Sequence, residues 1–141
     1  MTDPVPRKIE TSVSFVEFLP SENLILWKYK LGSVVTKSEA LEEVEAISKV
    51  ILELFDCRVK LMIDISGVKK VTREARAVFS SPQTTEMTQA TALVMGSRVS
   101  TVIANLFISL SRPQHATRIF HSSDEAKDWL DAQESSKLSR G

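Results

Sequence analysis

Leu61-Met-Ile-Asp-Ile-Ser-Gly-Val-Lys-Lys-Val-Thr-Arg-Glu-Ala-Arg-Ala-Val-Phe79 packs a strand, a polar turn and a helix start into one unit. From Val59 to Ile65 the residues are nearly all apolar, as in a central strand covered on both faces. Thr72 stands where a helix needs an N-cap, and Ser81-Pro82 stops the short helix it opens, since a residue before proline is driven out of the helical region. Junctions of this kind, from strand to helix, are where α/β proteins usually hold ligands or phosphate-like groups.

Upstream, Ile9 to Leu19 alternates loosely, with Ile9, Thr11, Val13 and Phe15 on one side, and reads as a strand. Pro20-Ser-Glu-Asn23 is a turn cluster, and Leu24 to Lys30 has strand composition, so the chain opens with an antiparallel hairpin. Thr36 and Glu39 have capping-box spacing and start a helix that runs to about Phe55. Its buried stripe is Ala40, Val44, Ile47, Ile51 and Leu54, with Glu39, Glu42, Glu43, Glu45 and Glu53 on an acidic outer face.

Downstream, Ala90 to Met95 is another inner strand, and Gly96-Ser97 opens a third helix ended by Pro113. Thr117 to Phe120 is a last short strand, and Ser122 with Glu125 forms a second capping box before a helix carrying Ala126, Trp129 and Leu130. The order β-β-α-β-α-β-α-β-α implies an α/β fold, a mixed sheet of about five strands with about four helices packed on it. Residues 9–131 form a single domain, flanked by a flexible N-terminus at 1–8 and a flexible polar tail at 132–141.

Bulk properties narrow the class. The chain has 141 residues, enough for a core without disulfides or metals. Its 18 bases match its 18 acids, so no global field draws it to nucleic acid. Cys57 is the single cysteine, which leaves no internal disulfide and no paired-thiol motif. Neither a signal-peptide core nor a membrane-length apolar run is present, and the expectation is a cytoplasmic protein with no integral membrane segment.

Asp64-Ile-Ser-Gly-Val68, followed by a helix cap, resembles the Asp-Leu-Ser-Gly-Val junction of STAS domains, the fold of the sporulation anti-anti-sigma factor and of sulfate-transporter tails. The chain resembles more closely the SpoIIAA-like branch of bacterial STAS-like proteins, related in fold to CRAL-TRIO lipid-transfer domains. That branch has an Arg-Glu-Ala-Arg helix start, here Arg73 to Arg76, and an Ala-Asn-x-Phe helix, here Ala104 to Phe107. It also ends Phe…Ala-x-x-Trp-Leu, here Phe120, Ala126, Trp129 and Leu130. The resemblance spans Leu24 to Leu130 and implies a regulatory domain that binds proteins. In anti-anti-sigma factors a phosphorylatable serine begins the helix after this strand. That position is Arg73 here, with a hydroxyl beside it at Thr72. A permanent cation where the family gains an anion argues against the phospho-switch.

Lys69, Lys70, Arg73 and Arg76 set four positive charges beside a helix N-terminus, opposed only by Glu74. With Thr72, they are candidates to hold a phosphate or carboxylate. The plainer reading is a solvated loop in which Arg76 pairs with Glu74 or Asp64. The third helix offers Asn105 and Phe107 as further ligand-binding candidates, lining a cavity with Ile103 and Trp129 under a polar mouth near Arg73. Its plainer reading is a well-buried helix. His115 and His121 lack partners at ligand spacing, so no metal is expected. Neither a cofactor motif nor a nucleophile with an orienting base can be assembled, so no cofactor and no enzymatic activity are expected. Two readings remain: a module for a protein partner or homodimer, favoured by the bipolar surface, and a carrier of a small anionic or lipid ligand.

Overall fold

A computed structural model describes residues 6–96 and 116–133. The apolar runs become a six-stranded sheet in the order β1-β2-β3-β5-β7-β8. β1 (Arg7–Glu10), β2 (Ser14–Leu19) and β3 (Leu24–Tyr29) are antiparallel, joined by a 3-10 turn at Pro20–Glu22. β5 (Val59–Asp64), β7 (Thr88–Val94) and β8 (Ala116–Phe120) continue the sheet from β3 in parallel. Parallel neighbours require crossovers. α1 (Lys37–Leu54) supplies the first of them, while α2 (Arg73–Phe79) and α3 (Pro82–Met87) lie on the second. α4 (Ser123–Asp131) ends the described fold. Among the described residues no helix is long and apolar enough to cross a membrane.

Strand alternation divides the side chains between two cores. Val16, Phe18, Ile25, Trp27, Ile63 and Leu93 face α1 and α2 in the larger one. Leu24, Met62, Ala90 and Ala92 face α4, meeting Phe120, Ala126 and Leu130 in the smaller one. The Phe120 and Trp129 rings lie 5.7 Å apart there. Each fully buried large side chain contributes about 1.5–3 kcal/mol.

The α/β class, the mixed sheet and the order of the principal elements match the sequence reading, and the strands outnumber it. The opening strand is two, because the chain turns back at Thr11–Val13: the Thr11 N–H donates to the Ser14 carbonyl at 2.9 Å. Two short segments, β4 (Ser33–Val35) and β6 (Val68–Val71), form a separate parallel ladder. Ser81-Pro82 does stop α2, yet Pro82 immediately starts α3, for which proline at the first position is well suited. The expected helix from Arg98 to Arg112 lies outside the described residues.

Candidate functional site: the strand-helix junction and a buried carboxylate

β5 ends at Asp64, whose Oδ1 accepts the Ser66 backbone N–H at 2.9 Å and so turns the chain. The Ser66 hydroxyl then accepts the Gly96 N–H at 3.0 Å, tying this turn to the end of β7. Gly67 runs against the backbone after β3: a Cβ there would lie 2.6 Å from the Lys30 carbonyl oxygen. Its own carbonyl accepts from Gly32 N at 2.8 Å and Ser33 N at 3.1 Å. The glycine of the Asp64–Val68 motif is therefore a packing requirement, and the close approach seats β4 beside β6.

The sequence candidates divide as follows. Lys69 and Lys70 are exposed on β6, and Arg73 is exposed at the first position of α2. Thr72 is the N-cap, with its Oγ1 accepting the Ala75 N–H at 3.2 Å. Arg76 is half-buried, and its Nε is a buried donor without a hydrogen-bond partner. Among the described residues it forms no ion pair with Glu74 or Asp64, contrary to the plainer reading. Asn105 and Phe107 lie outside the described residues, as do His115 and Ile103. Val34, opposite Lys70 in the ladder, is 40 % exposed, and Leu31, two residues before β4, is 95 % exposed.

Glu43 overturns the sequence reading. Placed there on the acidic outer face, it is completely buried. Ser14 Oγ donates to its Oε2 at 2.7 Å, Trp27 Nε1 to the same oxygen at 2.9 Å, and Tyr29 OH to Oε1 at 3.0 Å. Burial pushes the Glu43 carboxyl from the usual 4.5 up to about 7; the three donors oppose the rise and the Glu42 charge adds to it. Burial and the same carboxylate hold the Tyr29 hydroxyl well above its ordinary range. A signal was available: Glu43 falls three residues after Ala40 and four before Ile47, inside the apolar stripe. Ser14, Trp27 and Tyr29 all face the same way on the hairpin.

Two hollows flank the sheet. Under α1 and α3 lies an apolar cavity of about 80 Å³ lined by Trp27, Ile51, Leu61, Phe79 and Leu93, far below the roughly 300–1,000 Å³ of ordinary ligand pockets. On the opposite face a groove of about 470 Å³ passes Lys28, Met62, Asp64, Val94 and Ser123 at the carboxyl ends of the parallel strands.

Comparison with known proteins agrees with the fold. Among curated proteins none matches. An uncharacterised protein of the DUF3478 family with a SpoIIAA-like fold, from Shewanella loihica PV-4, is 14 % identical and superposes with a TM-score of 0.54. The match covers 92 % of this chain and 98 % of that one. The unphosphorylated anti-sigma factor antagonist SpoIIAA is 9 % identical, with a TM-score of 0.55 over 84 % of this chain and 98 % of its own. At such identities the likeness is one of fold. The family model described as a domain of unknown function, DUF7793, matches residues 18–134. The chain thus belongs to the DUF7793 family, built on the STAS/SpoIIAA fold.

Proposed function

We propose that this chain is a non-enzymatic regulatory domain that acts by docking another protein on the β4–β6 ladder and the start of α2. The observation that carries the reading is exposed Val34, paired with Lys70 in the ladder, with Lys69 exposed on the same strand, Arg73 exposed just beyond it and Leu31 exposed two residues before β4. Apolar anchors with a charged rim are the composition of protein interfaces, the rim setting partner choice and the anchors supplying affinity. The fold it shares with an anti-sigma factor antagonist supports a role exercised on another protein. At the first position of α2 this chain carries Arg73, so its docking would run on fixed positive charge.

The test places a photo-crosslinking amino acid at Val34 in the host cell, with a second version at Leu52 on α1 as the control. A defined polypeptide should be captured from Val34 and lost when Lys69, Lys70 and Arg73 are all changed to Glu. Arg76 stays unchanged, because a carboxylate there would be partly buried. Equal capture from both positions, or capture that survives the triple change, refutes the proposal.

A second reading, binding of a small anionic or lipid ligand, draws on the groove beside Asp64, whose volume falls in the ligand range. Native mass spectrometry of the protein from its host, before and after denaturation, would reveal a co-purifying small molecule; a ligand-free species counts against it.

A further inference from the structure

Glu43 joins three parts of the chain: α1 by its own backbone, β2 through Ser14 and β3 through Trp27 and Tyr29. Each element turns a different group toward it. From β3 come the indole and the phenol. From the start of β2 comes the Ser14 hydroxyl and, behind it in the β1–β2 turn, Thr11, whose Oγ1 is 2.6 Å from Ser14 Oγ. From α1 comes Glu42, occupied by the Ser12 N–H at 3.3 Å and the Ser12 hydroxyl at 2.5 Å. Among the described residues no lysine or arginine forms an ion pair with Glu43, those of α2 included. Among the described residues, the charge that acts on it is the like charge of Glu42.

This arrangement accepts a proton without moving a heavy atom. With Glu43 ionised, Ser14 donates to Oε2 and Thr11 can donate to Ser14. With Glu43 protonated on Oε2, the acid donates to Ser14 and Ser14 to Thr11, since either hydroxyl of that pair can be the donor. Trp27, which can only donate, keeps its bond in both states. The anion is the disfavoured form: it is sealed from water with neutral donors and no cation to offset its desolvation.

We infer that Glu43 is a buried proton-binding site, and that loss of its proton loosens the seam between α1 and the β2–β3 hairpin. Opening the seam hydrates the carboxylate and returns it to ordinary acidity, so opening is linked to pH. Between the usual 4.5 and the closed-state value of about 7, the open fraction should rise about tenfold per pH unit and then level off. Over that interval the open fraction should rise by roughly 300-fold in all.

The test uses the full chain. Carbon-13 NMR follows the Glu43 carboxyl, nitrogen-15 NMR follows the Trp27 indole, and amide exchange of α1, corrected for its intrinsic pH dependence, follows opening. Carboxyl and indole should titrate together near 7, and the loss of α1 protection should level off at the same pH. Glu43→Gln should abolish the indole titration and flatten the exchange profile, while Glu42→Gln should keep both titrations but move them to lower pH, because the like charge beside Glu43 is gone. A Glu43 carboxyl titrating near 4.5 in the folded protein overturns the inference, as does an unchanged profile in Glu43→Gln. If that variant does not fold, the wild-type carboxyl titration decides alone.

Discussion

Gly67→Ala isolates the close approach on which the strand-helix junction is built. The new Cβ would meet the Lys30 carbonyl oxygen at 2.6 Å and its carbon at 2.8 Å, where ordinary contact begins near 3.4 Å. Both obstacles are backbone, so no side chain can swing aside. Restoring contact distance means parting the two chains by about 0.8 Å. A shift of that size takes the bonds from Gly32 N and Ser33 N to the Gly67 carbonyl, now 2.8 and 3.1 Å, beyond bonding range. Losing both costs about 1 kcal/mol each, and residual overpacking adds roughly 1–3 kcal/mol. The reduced freedom of the unfolded chain returns about 0.4–1 kcal/mol. The net expectation is a loss of roughly 3 kcal/mol, a large share of the 5–15 kcal/mol typical of a domain. Urea denaturation followed by tryptophan fluorescence should show the midpoint falling by roughly 1–2 M. Gly32→Ala is the comparison: φ there is +79° and the space is open, so it should lose only about 1 kcal/mol, from backbone strain. A Gly67→Ala variant within about 0.5 kcal/mol of wild type would refute the packing argument, because the approach to Lys30 would then yield freely.

Glu43 also leaves a mark on global stability. Its folded pKa, about 7, lies above the usual 4.5, so its contribution is complete below the lower value and lost as pH rises to the upper one. That gap is worth about 3 kcal/mol, which should appear in urea titrations as a growing advantage of Glu43→Gln over wild type between about pH 4.5 and 7.5; a constant difference would show that burial does not raise the acid. Arg58 pins the end of α3 and the start of β7, donating to the Thr85, Glu86 and Thr88 carbonyls at 3.1, 3.1 and 2.7 Å. Arg58→Ala should therefore cost about 2 kcal/mol and speed proteolysis at α3, with Arg58→Lys recovering little because it lacks the planar fork. Unchanged stability and cleavage in both variants would mean that other contacts hold α3.

Signals confined to a few neighbouring residues were legible. The box at Thr36 and Glu39 forms as read, with the Thr36 N–H donating to Glu39 Oε1 at 3.2 Å. Thr72 and Ser122 cap their helices, since capping is a bond between residues three apart or fewer. β5 occupies nearly the whole apolar run from Val59. By contrast, β4 and β6 hold three and four residues, too few for a period to register, and each exists because the other lies beside it. α3 has no apolar stripe to announce it; the carbonyls at its end are held by an arginine far back in the chain. The cations at the junction were named from sequence, but not their apolar neighbour Val34, which the ladder sets opposite Lys70.

The sequence by itself determined the α/β class, the order of the main strands and helices, and the junction at Asp64–Val68, because periodicity, caps and turns act over a few residues. Tertiary structure alone decided the fate of Glu43. Helical spacing puts it beside both faces of α1, and only the meeting of that helix with Ser14, Trp27 and Tyr29 makes it a buried acid rather than one more surface charge. A side chain's charge state depends on what surrounds it, and the surroundings here are assembled from segments up to 29 residues apart.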